Sequence, residues 1–227
     1  MGDPNQLSFI NRNKSLFKGP FLEVGSHDYG ETQALRPVFA GEGEYVGLDM
    51  IEGPGVDLTL DLTLPFDQID AKLNGQRFGT IFCLSVMEHC AQPFLMAQNM
   101  TKLLAPGGRI CISVPFAWEF HGYPSDYWRF THEGVKLLFP DLAFDDSRDV
   151  WCTSRPGDFH PLDKQIGRIA YSTKPHFRAK RYLRGLCAGM FRFLAKIGLF
   201  RWMAGYPYTL APTGVFMIGT LKSGEAM

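Results

Sequence analysis

The feature that most constrains this chain is an apolar segment that ends in a glycine turn, residues 21–30. Its apolar part closes on Val24 and predicts a buried β-strand, and Gly25 begins a small polar turn. The next acidic signal is Asp49, 24 residues after Gly25. In a strand, turn, helix, strand unit this spacing places the carboxylate at the tip of the second strand, where it can accept hydrogen bonds from both hydroxyls of a ribose. The pattern is typical of a site for a nucleotide-like cofactor.

Further β-rich segments follow in regular order and are separated by segments of helix length, which predicts a doubly wound, mostly parallel α/β sheet of seven strands. The predicted strands lie near residues 20–24, 45–49, 56–60, 79–84, 109–114, 144–152 and 214–222. About 60 residues separate the last two strands, too many for an ordinary loop, so we expect a structured insertion there. The predicted organisation is a lead-in over 1–17, a core domain over 18–154 and 211–227, and a basic helical insertion or cap over 155–210.

The ordered set of strands and turns resembles the class I S-adenosylmethionine-dependent methyltransferases over roughly residues 18–153 and the last strand. The resemblance implies a Rossmann-like fold whose last strand is antiparallel and lies beside the fifth. It also implies S-adenosyl-L-methionine as cofactor and S-adenosyl-L-homocysteine as product. The positions that match cofactor-binding residues of the family are Glu23, Gly25, Ser26, His27, Asp49, Met50, Asp61, Leu62 and Ser85.

The resemblance assigns a role to each of these positions. Glu23 would order the first loop and contact the methionine part of the cofactor, and Gly25 would permit close backbone approach. Asp49 would bind the ribose, with Met50 against the adenine face. Read alone, an aspartate in the place of Asp49 is equally well a helix cap or turn residue.

The adenine and methionine ends have their own candidates. Asp61 would lie near the adenine amino group with Leu62 alongside, although Asp57 and Asp67 are nearby alternatives. Ser85, at the end of the fourth strand, would lie under the methionine part.

The glycine turn departs from the family pattern of Gly-x-Gly-x-Gly. Here Ser26 and His27 occupy the tightest part of the turn between Gly25 and Gly30. A side chain at these positions either contacts the carboxylate of the cofactor or restricts its approach.

The segment 115–131, after the fifth strand, joins His121, Asp126 and Arg129 to several aromatic residues. Loops beyond the carboxyl ends of parallel strands surround the ligand crevice. The segment resembles the P-x-D-x-W-R-x-T stretch of methyltransferases associated with cell-surface glycan and small-molecule pathways. His121 is the first candidate for a general base, with Asp126 and His89 as further catalytic candidates. The alternative is that His121, Asp126 and Arg129 form a hydrogen-bonded cluster that fixes the loop.

Composition sets limits on the location of the chain and on its use of metals. The 227 residues are 45% hydrophobic, enough for one substantial core. The five cysteines form no C-x-x-C pair, and no His/Cys cluster has ligand spacing, so we expect reduced cysteines and metal-independent chemistry. The polar N-terminal segment lacks a secretory profile, and no apolar run approaches the ~20 residues that span a bilayer. The expected location is cytoplasmic.

Charge is unevenly distributed, although the whole chain has a net charge of zero. Residues 155–210 contain eleven Lys and Arg against Asp158 and Asp163, a net charge of +9. Within them, 178–203 forms a predicted amphipathic helical segment. It is either a cap helix packed on the core or a lid or membrane-surface element that meets an anionic substrate. The predicted apolar face comprises Leu183, Leu186, Cys187, Met190, Phe193, Leu194 and Ile197, and the basic residues are Arg178, Arg181, Arg184, Arg192 and Lys196.

The function predicted from the residues and the resemblance is methyl transfer to a hydroxyl of a glycan, a glycolipid precursor or a small metabolite. One alternative is a dinucleotide-dependent oxidoreductase, but the three-glycine spacing and a Tyr-x-x-x-Lys pair are both missing. Another is a catalytically idle methyltransferase-fold module that binds a partner through its basic insertion. Nucleic-acid methylation is disfavoured by the neutral charge and by the lack of a proline-aromatic motif after the fourth strand, while RNA binding through 174–201 stays open. The oligomeric state and the choice of oxygen or nitrogen as acceptor also stay open.

Overall fold

The computed structural model of the chain describes residues 4–30, 34–122, 124–162, 166, 173–178, 180–199 and 212–222. They fall into two compact units, one within Met1–Leu162 and Thr213–Met227 and the other within Asp163–Pro212. The helices are α1 (Pro4–Arg12), α2 (Phe66–Lys72), α3 (Pro93–Lys102), α4 (His132–Leu138), α5 (Thr173–Arg178) and α6 (Tyr182–Lys196). The strands are β1 (Phe21–Val24), β2 (Tyr45–Asp49), β3 (Leu58–Thr59), β4 (Phe78–Leu84), β5 (Leu104–Pro115), β6 (Leu142–Phe144), β7 (Val150–Cys152), β8 (Phe159–Pro161) and β9 (Gly214–Leu221).

The first unit is built on one mixed sheet with the strand order β3-β2-β1-β4-β5-β9-β7-β8, and β6 also pairs with β9. Strands β1 to β5 are parallel, and β9 is antiparallel to β5, from Arg109 opposite Thr220 to Pro115 opposite Gly214. Central parallel strands are covered on both faces, which explains the continuous apolar runs of β4 and β5. The doubly wound fold with an antiparallel last strand is therefore confirmed.

Alternate residues of each central strand pack into different hydrophobic clusters, as the two-residue period of a strand requires. Leu22 and Ile81 belong to one cluster, and their neighbours Phe21 and Phe82 belong to the other. The second cluster is rich in phenylalanine, and each fully buried phenylalanine contributes about 1.5–3 kcal/mol through burial of apolar area. The sheet is thus fixed by separate cores on its two faces.

The predicted lead-in is a helix that completes the aromatic core. Phe9 and Ile10 of α1 are buried, and the ring of Phe9 lies 5.3 Å from that of Phe216. On the same helix, Gln6 is also buried. A polar residue on a buried helical face needs partners, and Gln6 finds them at the ends of two central strands.

The sixth predicted strand, 144–152, is two short strands instead. Asp145 accepts hydrogen bonds from the backbone N–H and the hydroxyl of Ser147, and it forms an ion pair with Arg148. These contacts stabilise a turn between β6 and β7. In addition, β8 lies at 159–161, within the predicted insertion, and pairs with β7. Among the described residues the sheet therefore has nine strands, where seven were expected.

The described part of the second unit contains α5 and α6. Phe177 of α5 lies over Gly185, where an added Cβ would come within 3.1 Å of its ring, and Ala188 is buried. Gly185, which would weaken an isolated helix, lets the two helices approach closely. Most of the predicted apolar face is exposed: Leu194 is half-buried, and five large side chains are exposed by 57–76%, namely Leu183, Leu186, Met190, Phe193 and Ile197. No helix among the described residues is long and apolar enough to cross a membrane.

Candidate functional site

A cavity opens at the carboxyl ends of the parallel strands, where the order of the sheet reverses between β1 and β4. In open α/β sheets this is where ligands bind. The predicted site residues that line the cavity are Gly25, Asp49, Met50, Asp61, Leu62, Ser85, His89 and His121. The remaining predicted residues, Glu23, Ser26, His27 and Asp126, are not part of the cavity wall.

The turn after β1 requires glycine at its first position. Gly25 has a φ of 76°, and a Cβ there would lie 2.3 Å from Cγ2 of Val86. The backbone N–H groups of Gly25 and Ser26 both donate to the carbonyl of Leu48, over 2.8 and 3.1 Å. The turn is therefore closed against the end of β2, next to Asp49.

The side chains of Ser26 and His27, in the tightest part of the turn, do not line the cavity. The buried hydroxyl of Ser26 has no hydrogen-bond partner among the described residues. The ring of His27 lies against Gly53, where an added Cβ would come within 2.1 Å of Nε2. Tyr29 lines the cavity instead. The contacts with the cofactor predicted for Ser26 and His27 therefore have no counterpart in the cavity wall.

Asp49 ends β2 and holds the turn in place. Its Oδ2 accepts from the backbone N–H of His27 and its Oδ1 from that of Ile51, each over 3.2 Å. A carboxylate offers about four acceptor positions, so two remain for hydroxyl donors. Met50 and Ile51 beside it are 66% and 51% exposed and line the same cavity. The end of β2 thus combines an acceptor with an apolar surface.

The structure separates the three candidate aspartates after β2. Asp61 lines the cavity, and its Oδ1 accepts from the backbone and hydroxyl of Thr63 over 2.7 and 2.8 Å. Asp57 accepts from the backbone of Gly47 over 2.6 Å and pairs with Arg36, so it fixes β2 beside β3. Asp67 lies in the first turn of α2, outside the cavity wall. Of the three, only Asp61 is placed to meet a ligand.

Glu23 contacts Tyr45 rather than the cavity. The hydroxyl of Tyr45 donates to Oε2 of Glu23 over 2.7 Å. Burial raises the pKa of Glu23, and this hydrogen bond opposes the rise. Its predicted contact with the methionine part of a cofactor stays a prediction.

Ser85 is held by the N-terminal helix. The amide of Gln6 donates to the hydroxyls of Ser85 and Ser113, each over 2.8 Å. Ser85 has a φ of 55°, rare for a residue with a side chain, and its backbone N–H donates to the carbonyl of Ser113 over 2.8 Å. Sequence reasoning missed Gln6, although a glutamine on the buried face of an amphipathic helix is a signal of a fixed polar contact.

Asp126 and Arg129 form the hydrogen-bonded cluster that was the alternative to catalysis. The guanidinium of Arg129 donates to both carboxylate oxygens of Asp126, over 2.5 and 2.7 Å, and to the carbonyl of Glu119 over 2.9 Å. Oδ2 of Asp126 also accepts from the backbone N–H of His121 over 2.9 Å. This hydrogen bonding with Arg129 lowers the pKa of Asp126. The pair fixes the loop, and His121 alone of these three residues lines the cavity.

The rest of the P-x-D-x-W-R-x-T stretch also fixes the loop. The indole of Trp128 donates to the carbonyl of Cys90 over 2.8 Å, and its backbone N–H donates to the carbonyl of Glu88 over 3.2 Å. Thr131 caps α4 by accepting from the backbone of Gly134 over 3.0 Å. The motif therefore joins the segment after β5 to the segment after β4.

The joined segments bring His121 to two adjacent titratable residues of the other segment, Glu88 and His89. Glu88, His89 and His121 each offer an atom within 4.8 Å of the others. Nδ1 of His89 lies 2.6 Å from the carbonyl of Ser125, and Nδ1 of His121 lies 3.1 Å from that of Glu119. Burial raises the pKa of Glu88 to about 7 and lowers the pKa of His89. Sequence spacing predicts no such ligand cluster, whereas the folded chain forms one at the cavity.

Solved structures share this fold at low sequence identity. A S-adenosylmethionine-dependent methyltransferase from Archaeoglobus fulgidus is 14% identical, matches over 95% of this chain and 94% of its own, and has a TM-score of 0.55. The 1,6-didemethyltoxoflavin-N1-methyltransferase of Burkholderia thailandensis, solved with S-adenosylhomocysteine, is 11% identical over 96% and 77%, with a TM-score of 0.52. The [4+2]-cyclase SpnF is 13% identical over 98% and 81%, with a TM-score of 0.54.

These similarities concern the fold, because identities of 11–14% carry no residue roles. The cyclase among them illustrates that one fold hosts different reactions. No protein-family model matches the sequence, and no curated protein matches it. The chain has the fold of the class I S-adenosylmethionine-dependent methyltransferases.

Proposed function

We propose that this chain is a S-adenosylmethionine-dependent methyltransferase that acts on a hydroxyl of a glycan, a glycolipid precursor or a small metabolite. One observation supports this above all others. A single cavity is lined both by the residues that the family resemblance assigns to the cofactor, Asp49 and Asp61 among them, and by two histidines suited to proton removal, His89 and His121.

The cavity wall fits the proposed cofactor. Asp49 keeps two acceptor positions for ribose hydroxyls, and Met50 and Leu62 supply apolar contacts for a flat ring. Gly25 presents backbone without a side chain, and no Cβ fits there. Because Ser26 and His27 do not line the cavity, the altered glycine turn leaves the entrance unobstructed by their side chains.

The bound cofactor would supply a methyl group already activated on a sulfonium, so the protein has to align the acceptor and remove its proton. His121 is suited to the second task. A carbonyl oxygen only accepts hydrogen bonds, so in the neutral ring Nδ1 carries the hydrogen and Nε2 carries the lone pair. The Asp126–Arg129 pair holds the backbone of His121 and thereby positions the ring.

The basic insertion is the proposed contact with an anionic partner. Its helix α6 exposes large apolar side chains, and Arg184, Arg192 and Lys196 are exposed on the same helix, with the exposed Arg181 immediately before it. A helix of this kind binds an interface by burying its apolar face while its cations attract anionic lipid. We propose that α6 contacts an anionic membrane surface, which suits an acceptor carried on a lipid.

Cofactor binding tests the first part of the proposal. Calorimetry with S-adenosylmethionine and S-adenosylhomocysteine should show one site. Asp49→Ala should weaken binding by about 1–3 kcal/mol, because a charged acceptor for hydroxyls is lost. Asp67→Ala removes a carboxylate outside the cavity wall and is the matched control, expected to bind normally. Absence of binding by the wild type would remove the basis of the proposal.

Turnover tests the second part. Methyl transfer to a panel of hydroxyl acceptors should fall roughly 100-fold in His121→Ala, with cofactor affinity nearly unchanged. Full turnover by this variant would contradict a role in proton removal. A protein that binds the cofactor and methylates no acceptor would support a non-catalytic binding module instead.

A further inference from the structure

We propose that Glu88, His89 and His121 bind one divalent transition-metal ion at the wall of the cavity. Each side chain offers a ligand atom, and the three atoms lie within 4.8 Å of one another. Two atoms bound to one ion at about 2.1 Å lie about 3.0–3.5 Å apart, so small side-chain rotations would complete the set. Two imidazoles and one carboxylate form a common site for such ions.

The two histidines are already oriented as metal ligands are. A ligating histidine characteristically donates its second ring N–H to a carbonyl or carboxylate, which fixes the tautomer. His89 does so to Ser125 and His121 to Glu119, with Nδ1 distances of 2.6 and 3.1 Å. Nε2 of each ring is left with its lone pair. The rings lie 5.0 Å apart and nearly perpendicular, at 88°.

The carboxylate of Glu88 is buried with one of its two oxygens unpaired in the described part of the chain. Glu88 is 1% exposed, and its Oε2 has no hydrogen-bond partner there. Oε1 lies 3.9 Å from Nε2 of His89. A buried carboxylate oxygen without a partner is costly, and Arg129, a cation of the segment after β5, is engaged by Asp126. A bound cation would supply the missing partner.

The backbone around the three ligands is fixed without a metal. The carbonyl of Glu88 accepts from the N–H groups of Tyr127 and Trp128, over 2.9 and 3.2 Å, and this joins the two segments that carry the ligands. A site whose ligands are held before binding loses little entropy when the ion arrives. The cluster is thus both oriented and preorganised.

The metal site deepens the proposed function, and the role of the ion in methyl transfer rests on that function. One lone pair on Nε2 of His121 cannot hold an ion and take a proton at the same time. With the ion bound, His121 is a ligand, and the ion would lower the pKa of an acceptor hydroxyl placed beside it. Activity would then depend on the metal, contrary to the expectation drawn from sequence spacing.

Manganese is the probe of choice, because the carboxylate of Glu88 suits it, while the exposed Cys187 would bind softer ions. It binds mixed nitrogen and oxygen sites more weakly than the later transition metals, so it is added up to millimolar concentration. Electron paramagnetic resonance of Mn²⁺ added to the chain, without cofactor or acceptor, should show one bound ion per chain. Glu88→Gln and His121→Gln should each weaken binding at least about tenfold. His160→Gln is the matched control, because His160 forms a His–Asp pair elsewhere, 2.9 Å from Asp158, and should bind as the wild type does.

Two results would overturn the inference: no Mn²⁺ binding by the wild type up to millimolar concentration, or unchanged binding in both ligand variants. Thermal unfolding without metal checks that the variants are folded, and His121→Gln changes a partly exposed loop residue, so it is the safer of the two. Failure of the two proposals is distinguishable. A chain that binds Mn²⁺ but no S-adenosylmethionine contradicts only the proposed function, and the reverse contradicts only the metal site.

Discussion

Asp149 gives the sharpest physical prediction, because it is a buried acid whose ionisation the fold opposes. It is 1% exposed between β6 and β7. Oδ1 accepts from the backbone N–H of Ile218 over 2.9 Å, and Oδ2 has no partner among the described residues. Burial raises its pKa from 3.8 to about 7, with the carboxylates of Asp145 and Asp146 adding to the rise and Lys136 opposing it.

The sign of the effect follows from which state holds the proton more tightly. The folded chain keeps the proton of Asp149 up to about pH 7, whereas the unfolded chain releases it near pH 4. Stability is therefore lost as pH rises through this interval. A shift of about three pKa units corresponds to a ceiling of about 4 kcal/mol. Relaxation around the charge reduces this, and we expect about 1–3 kcal/mol.

Asp149→Asn isolates this effect. The asparagine keeps an acceptor for Ile218 but does not ionise, and its extra N–H donors impose a cost that does not depend on pH. Urea unfolding followed by circular dichroism should therefore show the variant gaining about 1–3 kcal/mol on the wild type between pH 5 and pH 8. Other groups that titrate in this range, Glu88 among them, contribute equally to both proteins and cancel.

Asp145→Asn is the matched control. Asp145 is an exposed carboxyl of the neighbouring turn, and its hydrogen bonds with Ser147 lower its pKa. Its own stabilising effect is lost only as pH falls below about 4, and its charge is the smallest of the causes that shift the pKa of Asp149. Its difference from the wild type should therefore change much less from pH 5 to pH 8 than that of Asp149→Asn. A flat difference for Asp149→Asn, within about 0.5 kcal/mol, would refute the reasoning about burial.

Two further predictions concern the turn and the insertion. Gly25→Ala should destabilise the chain by at least about 2 kcal/mol in thermal unfolding and abolish cofactor binding, because the added Cβ clashes with Val86. Gly30→Ala is the control and should cost about 1 kcal/mol, because its φ of 80° is similar but no atom lies within 4 Å of the added Cβ. Equal losses of stability in the two variants would contradict the clash. Replacing Arg178, Arg181 and Arg184 together by Gln should weaken sedimentation with anionic vesicles at low salt, with the difference shrinking at moderate salt as the Debye length falls. Equal binding at low salt would show that these three arginines have no electrostatic role in membrane binding.

The central strands could be predicted from sequence because a single requirement, apolar side chains for burial on both faces, determines them. A strand buried on both faces needs a mostly apolar run, and β1, β2, β4 and β5 each have one with few polar residues, such as Glu23 in β1. The division of the sixth strand was missed because it depends on side chains. The hydrogen bonds of Asp145 to Ser147 and Arg148 bend the chain inside a segment that otherwise favours β-structure.

The candidate site was predictable only where one segment carries the signal. Asp49 ends β2 and Asp61 lies two residues after β3, and both line the cavity. The cluster of Glu88, His89 and His121 was not predicted, because its members come from two loops that meet only after β4 and β5 pair. Local spacing shows ligands on one helix or turn, whereas this set depends on strand register.

Because β9 lies inside the sheet, the sheet that carries the cavity cannot be completed until the last strand of the chain has been synthesised. β9 follows all the other strands along the chain, yet it lies between β5 and β7 and also pairs with β6. Until it emerges from the ribosome, β5 has an open edge, and the outer strands have no neighbour through which to join the sheet. Such an edge is prone to pair with other chains. A nascent chain of this protein therefore carries the elements of the cavity well before it can close the sheet, and in that interval we expect it to rely on chaperones.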